Sequence, residues 1–183
     1  MKASRYLTHM KRLTDMAQGI GRFYEHIEPL ARSPKLGPVL WQLPDRFARD
    51  DDRLAGALVA LPPGRHAFEL RHPSWYTEPV YALLREHGAA LAIGDHPERP
   101  WIPLVTTADW TYLRFHAGRR GRRGNYSDTE LREWAARIGD LRERTEVLAY
   151  FNNDWEAFAP RNAARLRALV EAGTGLSHAR VGC

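Results

Sequence analysis

Short apolar runs alternate with amphipathic stretches along the whole chain, and that alternation confines the fold to parallel α/β architectures. The runs are Val39–Leu43, ended by Pro44; Ala67–Leu70, closed by His72-Pro73; Ala89–Ile93, ended by Gly94-Asp95; Trp110–Phe115; and Val147–Phe151. Lys2–Leu7 is a weaker sixth. Continuous apolar runs of this kind suit strands buried on both faces. Between them the spacing is helical: Phe23, Ile27 and Leu30; Leu54, Leu58 and Leu61; Val80, Leu83, Leu84 and His87, stopped by Gly88. Leu131, Trp134, Ile138 and Leu141 follow Ser127-Asp128-Thr129-Glu130, a capping-box pattern that dates the helix start to Ser127. The last helix follows Pro160, with Ala163, Leu166, Leu169 and Val170 inward. No linker divides the chain, so residues 1–172 are expected to form one domain and 173–183 a polar tail.

A parallel sheet with right-handed crossovers leaves two architectures, an open doubly wound sheet and a (β/α)₈ barrel. No Gly-x-Gly-x-x-Gly follows a strand, which weakens the dinucleotide-binding form of the first, and six strands are too few for the second.

Composition excludes several classes. With 44% apolar and 27% charged residues in 183, the chain is neither disordered nor collagen-like, and no apolar stretch approaches the ~20 residues needed to span a bilayer. The start, Met1-Lys2-Ala3-Ser4-Arg5-Tyr6, never reaches an apolar h-region, and the single cysteine, Cys183, leaves no intramolecular disulfide; the expected compartment is the cytoplasm. The net charge of +5 comes in good part from one segment, Gly118-Arg119-Arg120-Gly121-Arg122-Arg123-Gly124, instead of striping helices, so nucleic acid is a minor partner expectation.

The polar residues fall at strand ends: Gln42; Glu69, Arg71 and His72; Asp95 and His96; Arg114 and His116; Asn152, Asn153 and Asp154. In parallel α/β folds those ends converge on the ligand-binding face. Exposed loops explain His96 or Asp154 well enough. They do not explain Glu69 and Arg114, which lie inside apolar runs where an unpaired charge costs several kcal/mol. Glu69 and Arg71 share a strand face, as do Tyr112, Arg114 and His116. A carboxylate, two guanidiniums and an imidazole on one rim suit an anionic or polyhydroxylated ligand and supply acid–base groups; the competing reading is a buried ion-pair network. Glu69, Asp95, His116 and Asn152 are of metal-ligating type, but no short ligand spacing supports a metal site. No Gly-x-Ser-x-Gly elbow is present, the residues leave the cofactor unknown, and Trp41, Trp75 and Trp110 read as core or pocket wall.

Lys2-Ala3-Ser4-Arg5-Tyr6-Leu7-Thr8-His9, Leu36–Pro44, Glu69-Leu70-Arg71-His72-Pro73-Ser74-Trp75, Tyr112–His116 and Tyr150–Asp154 with Asn162-Ala163 together resemble the domain-of-unknown-function-72 (YecE-like) family, in order and over nearly the whole chain. The resemblance implies a TIM-type (β/α) barrel whose activity is not established. It also implies that the first two βα units are missing here: neither a Gly-Thr-Ser-Gly-Trp-like nor a Glu-Ile-Asn-Ser-Thr-Phe-Tyr-like motif occurs, and six strands plus two makes eight. Ala117 stands where relatives often carry Gly, and the family's strand-two glutamate has no counterpart. Carried over by position, the site is Glu69, Asp95 and His116 as acid–base groups with Lys2, Gln42, Arg71, Arg114 and Asn152 binding substrate. The expected function is hydrolysis or isomerisation of a phosphorylated or sugar-like substrate; the alternatives are a non-catalytic anion or nucleic-acid binder and an inactive truncated fragment.

Three expectations follow. Six parallel strands should form an open barrel with a gap between Lys2–Leu7 and Val147–Phe151, leaving edges prone to self-association. Glu69, Arg71, Asp95, Arg114 and Asn152 should share one polar pocket. The loop with Arg119, Arg120, Arg122 and Arg123 should bind an anion, its glycines turning backbone N–H groups toward the ligand beside the capped helix.

Overall fold

A computed structural model describes residues 1–100 and 102–177. Five parallel strands, β1 (Val39–Gln42), β2 (His66–Glu69), β3 (Ala90–Asp95), β4 (Trp110–Phe115) and β5 (Glu146–Phe151), follow one another in the order β1-β2-β3-β4-β5. Helices lie between them: α1 (Met16–His26), α2 (Glu28–Ala31), α3 (Asp51–Val59), α4 (Glu78–Glu86), α5 (Asp128–Arg142) and α6 (Phe158–Ser177). The α/β alternation read from the apolar runs is therefore the alternation of the fold. Residues 178–183, the end of the expected tail, and with them Cys183, lie outside the described residues.

The described residues form two compact units, 1–92 with 105–108, and 93–100 and 102–104 with 109–177. In the first, β1 pairs in register with β2 from Val39↔His66 to Gln42↔Glu69, so both strands end together and bring Gln42 beside Glu69. Every residue of β1 and β2 is buried, as continuous apolar runs require. Trp41, Phe68 and Trp75 are fully buried, and Trp41 stacks on Phe68. The buried Thr107 clamps the start of β3, donating to Ala89 O and accepting from Leu91 N (2.7 Å each). Helix α3 is capped by Asp50, whose side chain accepts from Arg53 N, and α4 ends at Gly88, whose φ of +60° is open to glycine at little cost.

Lys2–Leu7 is not the expected sixth strand. It contributes one parallel bridge, Lys2 to Leu40, with Ala3 N donating to Leu40 O and Leu40 N to Met1 O (2.9 Å each). The chain then winds into a π-helical turn, Tyr6–Met10. The physical reason is Leu7: it is 1% exposed, in one core cluster with Leu13, Met16 and Ile20, and packs so closely on α1 that a Cβ on Gly19 would stand 2.3 Å from its side chain. The expected face Phe23–Ile27–Leu30 is likewise divided, because the helix breaks at Ile27 between α1 and α2, with Pro29 in the first turn of the second.

In the second unit β4 and β5 pair over their full length, Trp110↔Glu146 to Phe115↔Phe151. Ile93, Leu113, Phe115, Tyr126, Leu131, Trp134 and Ile138 form its core with Leu166 of α6. The Ser127 side chain accepts from Glu130 N, and the Glu130 side chain accepts from Ser127 N, completing the capping box that starts α5. One strand departs from the expectation of two buried faces: β5 is exposed or half-buried throughout, with Tyr150 40% exposed. Among the described residues no strand pairs with its second edge.

Candidate functional site

The first unit gathers four of the expected site residues. Glu69 is 3% exposed at the end of β2. Its carboxylate accepts from Gln42 Nε2 (2.8 Å) and from Arg71 Nε (3.0 Å). Gln42, also buried, accepts from Lys2 Nζ (2.7 Å), and Arg71 lies 3.9 Å from the Asp45 carboxylate. The parallel register sets Gln42 and Glu69 side by side, and the two-residue spacing returns Arg71 to the face of Glu69. The single bridge of Lys2 to β1 is what delivers its ammonium to Gln42. The result is a hydrogen-bonded row, Lys2–Gln42–Glu69–Arg71, in which a buried carboxylate is oriented by an amide and a guanidinium.

His9 belongs to the same neighbourhood. Burial, then the positive charges of Arg5, Lys2 and Arg71, hold its imidazole below the ordinary histidine value, against a smaller opposite pull from Asp45. Neither His9 nor Asp45 is among the strand-end residues read from the sequence. The available signal for His9 was its place in Lys2–His9, a segment quoted for the resemblance as a whole.

The second unit holds another cluster. Asp95, ending β3, accepts from Trp134 Nε1 (2.8 Å) and lies 3.6 Å from the Arg119 guanidinium. Its backbone oxygen accepts from His116 N (3.0 Å) and, at 3.4 Å, from the Tyr126 hydroxyl. Burial, with the nearby Asp95 charge, raises the Tyr126 phenol far above its ordinary value, so it stays protonated. His116 accepts at Nδ1 from Asn152 Nδ2 (3.3 Å), and its ring centroid is 5.1 Å from that of His96. Arg114 is half-buried on β4, in register with Tyr150. A cavity of about 490 Å³ beside Asp95 is lined by Arg99, Arg119, Arg120, Trp134 and Arg137 among others. A cavity of about 900 Å³ elsewhere in this unit runs along β5 and α6, past Val147, Tyr150, Leu166 and Val170, and holds none of the expected site residues.

The arginine loop is built around a buried glutamate. Glu130 accepts from Arg119 N (2.7 Å) and Arg120 N (3.2 Å) through one oxygen, and from Ser127 N and Oγ (2.8 Å each) through the other. Burial pushes its carboxyl up, but the Ser127 and Arg119 amides, the Ser127 hydroxyl and the Arg120 amide outweigh this and hold it below the ordinary value. The guanidinium of Arg120 pairs with Glu133, and that of Arg123 with Glu156 (3.1 Å). The glycines answer to packing: a Cβ on Gly118 or Gly121 would stand 2.2 or 1.8 Å from Asn125 O. Among the described residues no group of three or more His, Cys, Asp or Glu side chains could hold a metal ion, and no helix is long and apolar enough to cross a membrane.

Parallel strands alternating with helices define a protein of the α/β class. Within it the chain belongs to the family described as protein of unknown function DUF72, matched over residues 1–180. Its structure is similar to that of a DUF72 family protein from Thermotoga maritima MSB8, with a TM-score of 0.83 and 28% identity over 93% of this chain and 72% of that one. Two crystal structures of a DUF72 family protein from Enterococcus faecalis V583 give TM-scores of 0.72 and 0.71 at 22% and 24% identity. They cover 85% and 83% of this chain and 66% and 68% of theirs, and show the fold alone. Among curated proteins none matches.

Proposed function

We propose that the row Lys2–Gln42–Glu69–Arg71 binds a small anionic ligand, phosphorylated or sugar-like, and acts on it by acid–base chemistry, as a hydrolase or an isomerase. The observation that carries this is the buried Glu69 carboxylate, set at a strand end and oriented through side chains that themselves lead outward to two cations. Arg71 presents a planar fork to a phosphate or carboxylate, Lys2 a point charge, and Glu69 the proton-transferring group. The same reading takes the five-strand sheet as a sector of a TIM-type barrel, supported by the sequential parallel order and the likeness to the Thermotoga maritima protein. In the second unit Asp95, His116, Asn152 and Arg114 are proposed as polar groups able to contact a ligand of that unit's own.

Calorimetric titration with inorganic phosphate and with fructose 6-phosphate tests the reading. Binding to the unaltered chain, weakened about tenfold or more by Arg71→Ala and by Lys2→Ala and retained in Glu69→Gln, supports it. Binding that ignores both cation substitutions, or no binding at all, overturns it.

A second reading concerns residues 118–124. The exposed guanidiniums of Arg119, Arg122 and Arg123 support an anion-binding role for the loop, exercised by side chains, since the amides of Arg119 and Arg120 already serve Glu130. Replacing Arg122 and Arg123 by Ala should lower affinity for a short RNA or a sugar phosphate and flatten its salt dependence; an unchanged salt slope ends this reading.

A further inference from the structure

Helices α3, α4 and α5 each fill one crossover between successive parallel strands, but the crossover from β3 to β4 carries none among the described residues. A parallel pair is ordinarily joined through such a helix. Here the connector passes beside α5 instead, and a cavity of about 490 Å³ lies between them, walled by Pro100 and Ile102 of the connector and by Trp134 of α5. Its size is that of small-molecule sites, about 300–1,000 Å³. Asp95 belongs to this cavity. With Ile93 it projects to the helix side of β3, since residues two apart share a face, and Ile93 lies in one core with Leu131 and Trp134. Gly94, between them, turns the other way: a Cβ there would stand 3.8 Å from the His116 ring. Of the polar groups assigned above to a ligand of this unit, Asp95 thus stands on the helix side and His116 on the opposite face.

The charges around the cavity do not balance. Four guanidiniums line it, Arg99 from the connector, Arg119 and Arg120 from the arginine loop and Arg137 from α5. Of its three carboxylates, Glu130 is already taken up by the Arg119, Arg120 and Ser127 amides and the Ser127 hydroxyl, which leaves Asp95 and Glu133. Arg120 pairs with Glu133, while Arg119 donates to His96 O at 3.4 Å and stays 3.6 Å from Asp95 Oδ1. Arg137 has no carboxylate partner among the described residues; its guanidinium lies over the Trp134 ring, 4.8 Å from the centroid. A cation–π contact places a guanidinium without using its N–H donors, which stay available to an anion. At Asp95 only Oδ2 is committed, to Trp134 Nε1 at 2.8 Å; the distance from Oδ1 to Arg119 is longer than a hydrogen bond and leaves that oxygen able to accept.

We propose that this cavity is a ligand site of its own, taking a small hydroxylated phosphate ester. The two positive charges in excess match a phosphate monoester, which carries between about −1.5 and −2 at neutral pH. Arg137, with Arg99 and Arg119, binds the phosphate through side-chain N–H groups, because the amides of Arg119 and Arg120 already serve Glu130. Asp95 Oδ1 accepts from a ligand hydroxyl, so an anion that carries a hydroxyl is held better than a bare one. The site is independent of the row Lys2–Gln42–Glu69–Arg71. It also differs from the outer face of the arginine loop, since the cavity takes Arg119 and Arg120 from that loop but not Arg122 or Arg123.

Nitrogen-15 NMR of the full chain, labelled at tryptophan and arginine, tests the site. The Trp134 indole signal is the one of six that Trp134→Phe removes, and the Arg137 Nε signal the one that Arg137→Lys removes, so either variant alone still locates the cavity. Fructose 6-phosphate should move both signals, and inorganic phosphate should move them at about tenfold higher concentration. Fructose without its phosphate should leave them in place. Arg137→Ala should weaken the response to fructose 6-phosphate, read at Trp134, by about tenfold or more, and Asp95→Asn should narrow the preference for the sugar phosphate over phosphate. Signals that do not move, or a response that Arg137→Ala leaves unchanged, overturn the site. A response lost only when Arg122 and Arg123 are replaced by Ala assigns the anion to the outer loop and overturns it too. Phosphate that perturbs the Arg71 signal while Trp134 and Arg137 stay in place removes this cavity and leaves the row in the first unit standing.

Discussion

Two buried glutamates, Glu69 in the first unit and Glu130 in the second, are 3% and 6% exposed, yet they are held by different kinds of partner. Glu130 is held by three backbone amides and a serine hydroxyl, four donors that belong to the loop and helix it joins. Its charge is spent on tying residues 119 and 120 to the start of α5. Glu69 is oriented by side chains, and the row continues from them to Lys2 and Asp45. Burial alone does not mark a functional carboxylate. The chemistry of the partners separates the two: backbone donors tie Glu130 to the loop it joins, whereas the partners of Glu69 lead to the charges of Lys2 and Arg71, on which the proposed site rests.

This contrast can be broken most sharply at Glu130. Glu130→Ala removes a partner from several amides at once, and a loss of about 3 kcal/mol, or roughly 6–12 °C in Tm, is expected by thermal melting. Little change in Tm would mean that the loop amides find other partners and that Glu130 is not structural. Next in size is the loop's close packing. Gly121→Ala should cost about 2 kcal/mol, because the new Cβ would press on Asn125 O, whereas Gly139→Ala on α5 meets nothing within 4 Å and should add about 0.5–1 kcal/mol. Chemical denaturation of the pair checks both signs.

Glu69→Gln sharpens the comparison from the other side. The amide keeps the shape and can still accept from Arg71, so stability should fall by less than about 1 kcal/mol while any turnover is abolished. A drop as large as that of Glu130→Ala would make Glu69 structural too. The smallest effect is in pH dependence. The folded value of Glu130 is depressed, so its contribution is complete above the ordinary carboxylate range near pH 4.3 and is lost as pH falls through the folded value. The stability gap between the unaltered protein and Glu130→Gln should therefore be constant from about pH 5 upward and narrow below about pH 4. A gap that widens on acidification would reverse the sign assigned here.

Much of this was legible in the residues. Trp110–Phe115 is β4 as read, and the runs at 39, 67 and 89 locate β1 to β3 to within one or two residues, because a strand buried on both faces has to be continuously apolar; the run at 147 locates β5 as closely, although that strand is not buried. Gly88 ends α4 and Ser127 begins α5 for local reasons of φ and hydrogen bonding that act over four residues. The two-residue spacing put Glu69 and Arg71 on one strand face, and the two are in fact paired at 3.0 Å. Lys2–Leu7 misled because its composition suits a strand start. Only the core around Leu7 decides for a turn, and that core is assembled from Leu13, Met16 and Ile20 farther along the chain.

The sequence by itself determined the α/β alternation, the strand and helix positions and the residues that end each strand, since these depend on hydrophobic period and on local capping. Tertiary structure alone decided which of those residues meet. The register of β1 on β2 puts Gln42 against Glu69, one bridge brings in Lys2, and the fold of the loop onto α5 gives Glu130 the amides of Arg119 and Arg120. The physical reason is range. Propensity and period act between neighbours in sequence, whereas a hydrogen bond between residues 2 and 42 or 119 and 130 exists only once packing has closed the chain between them.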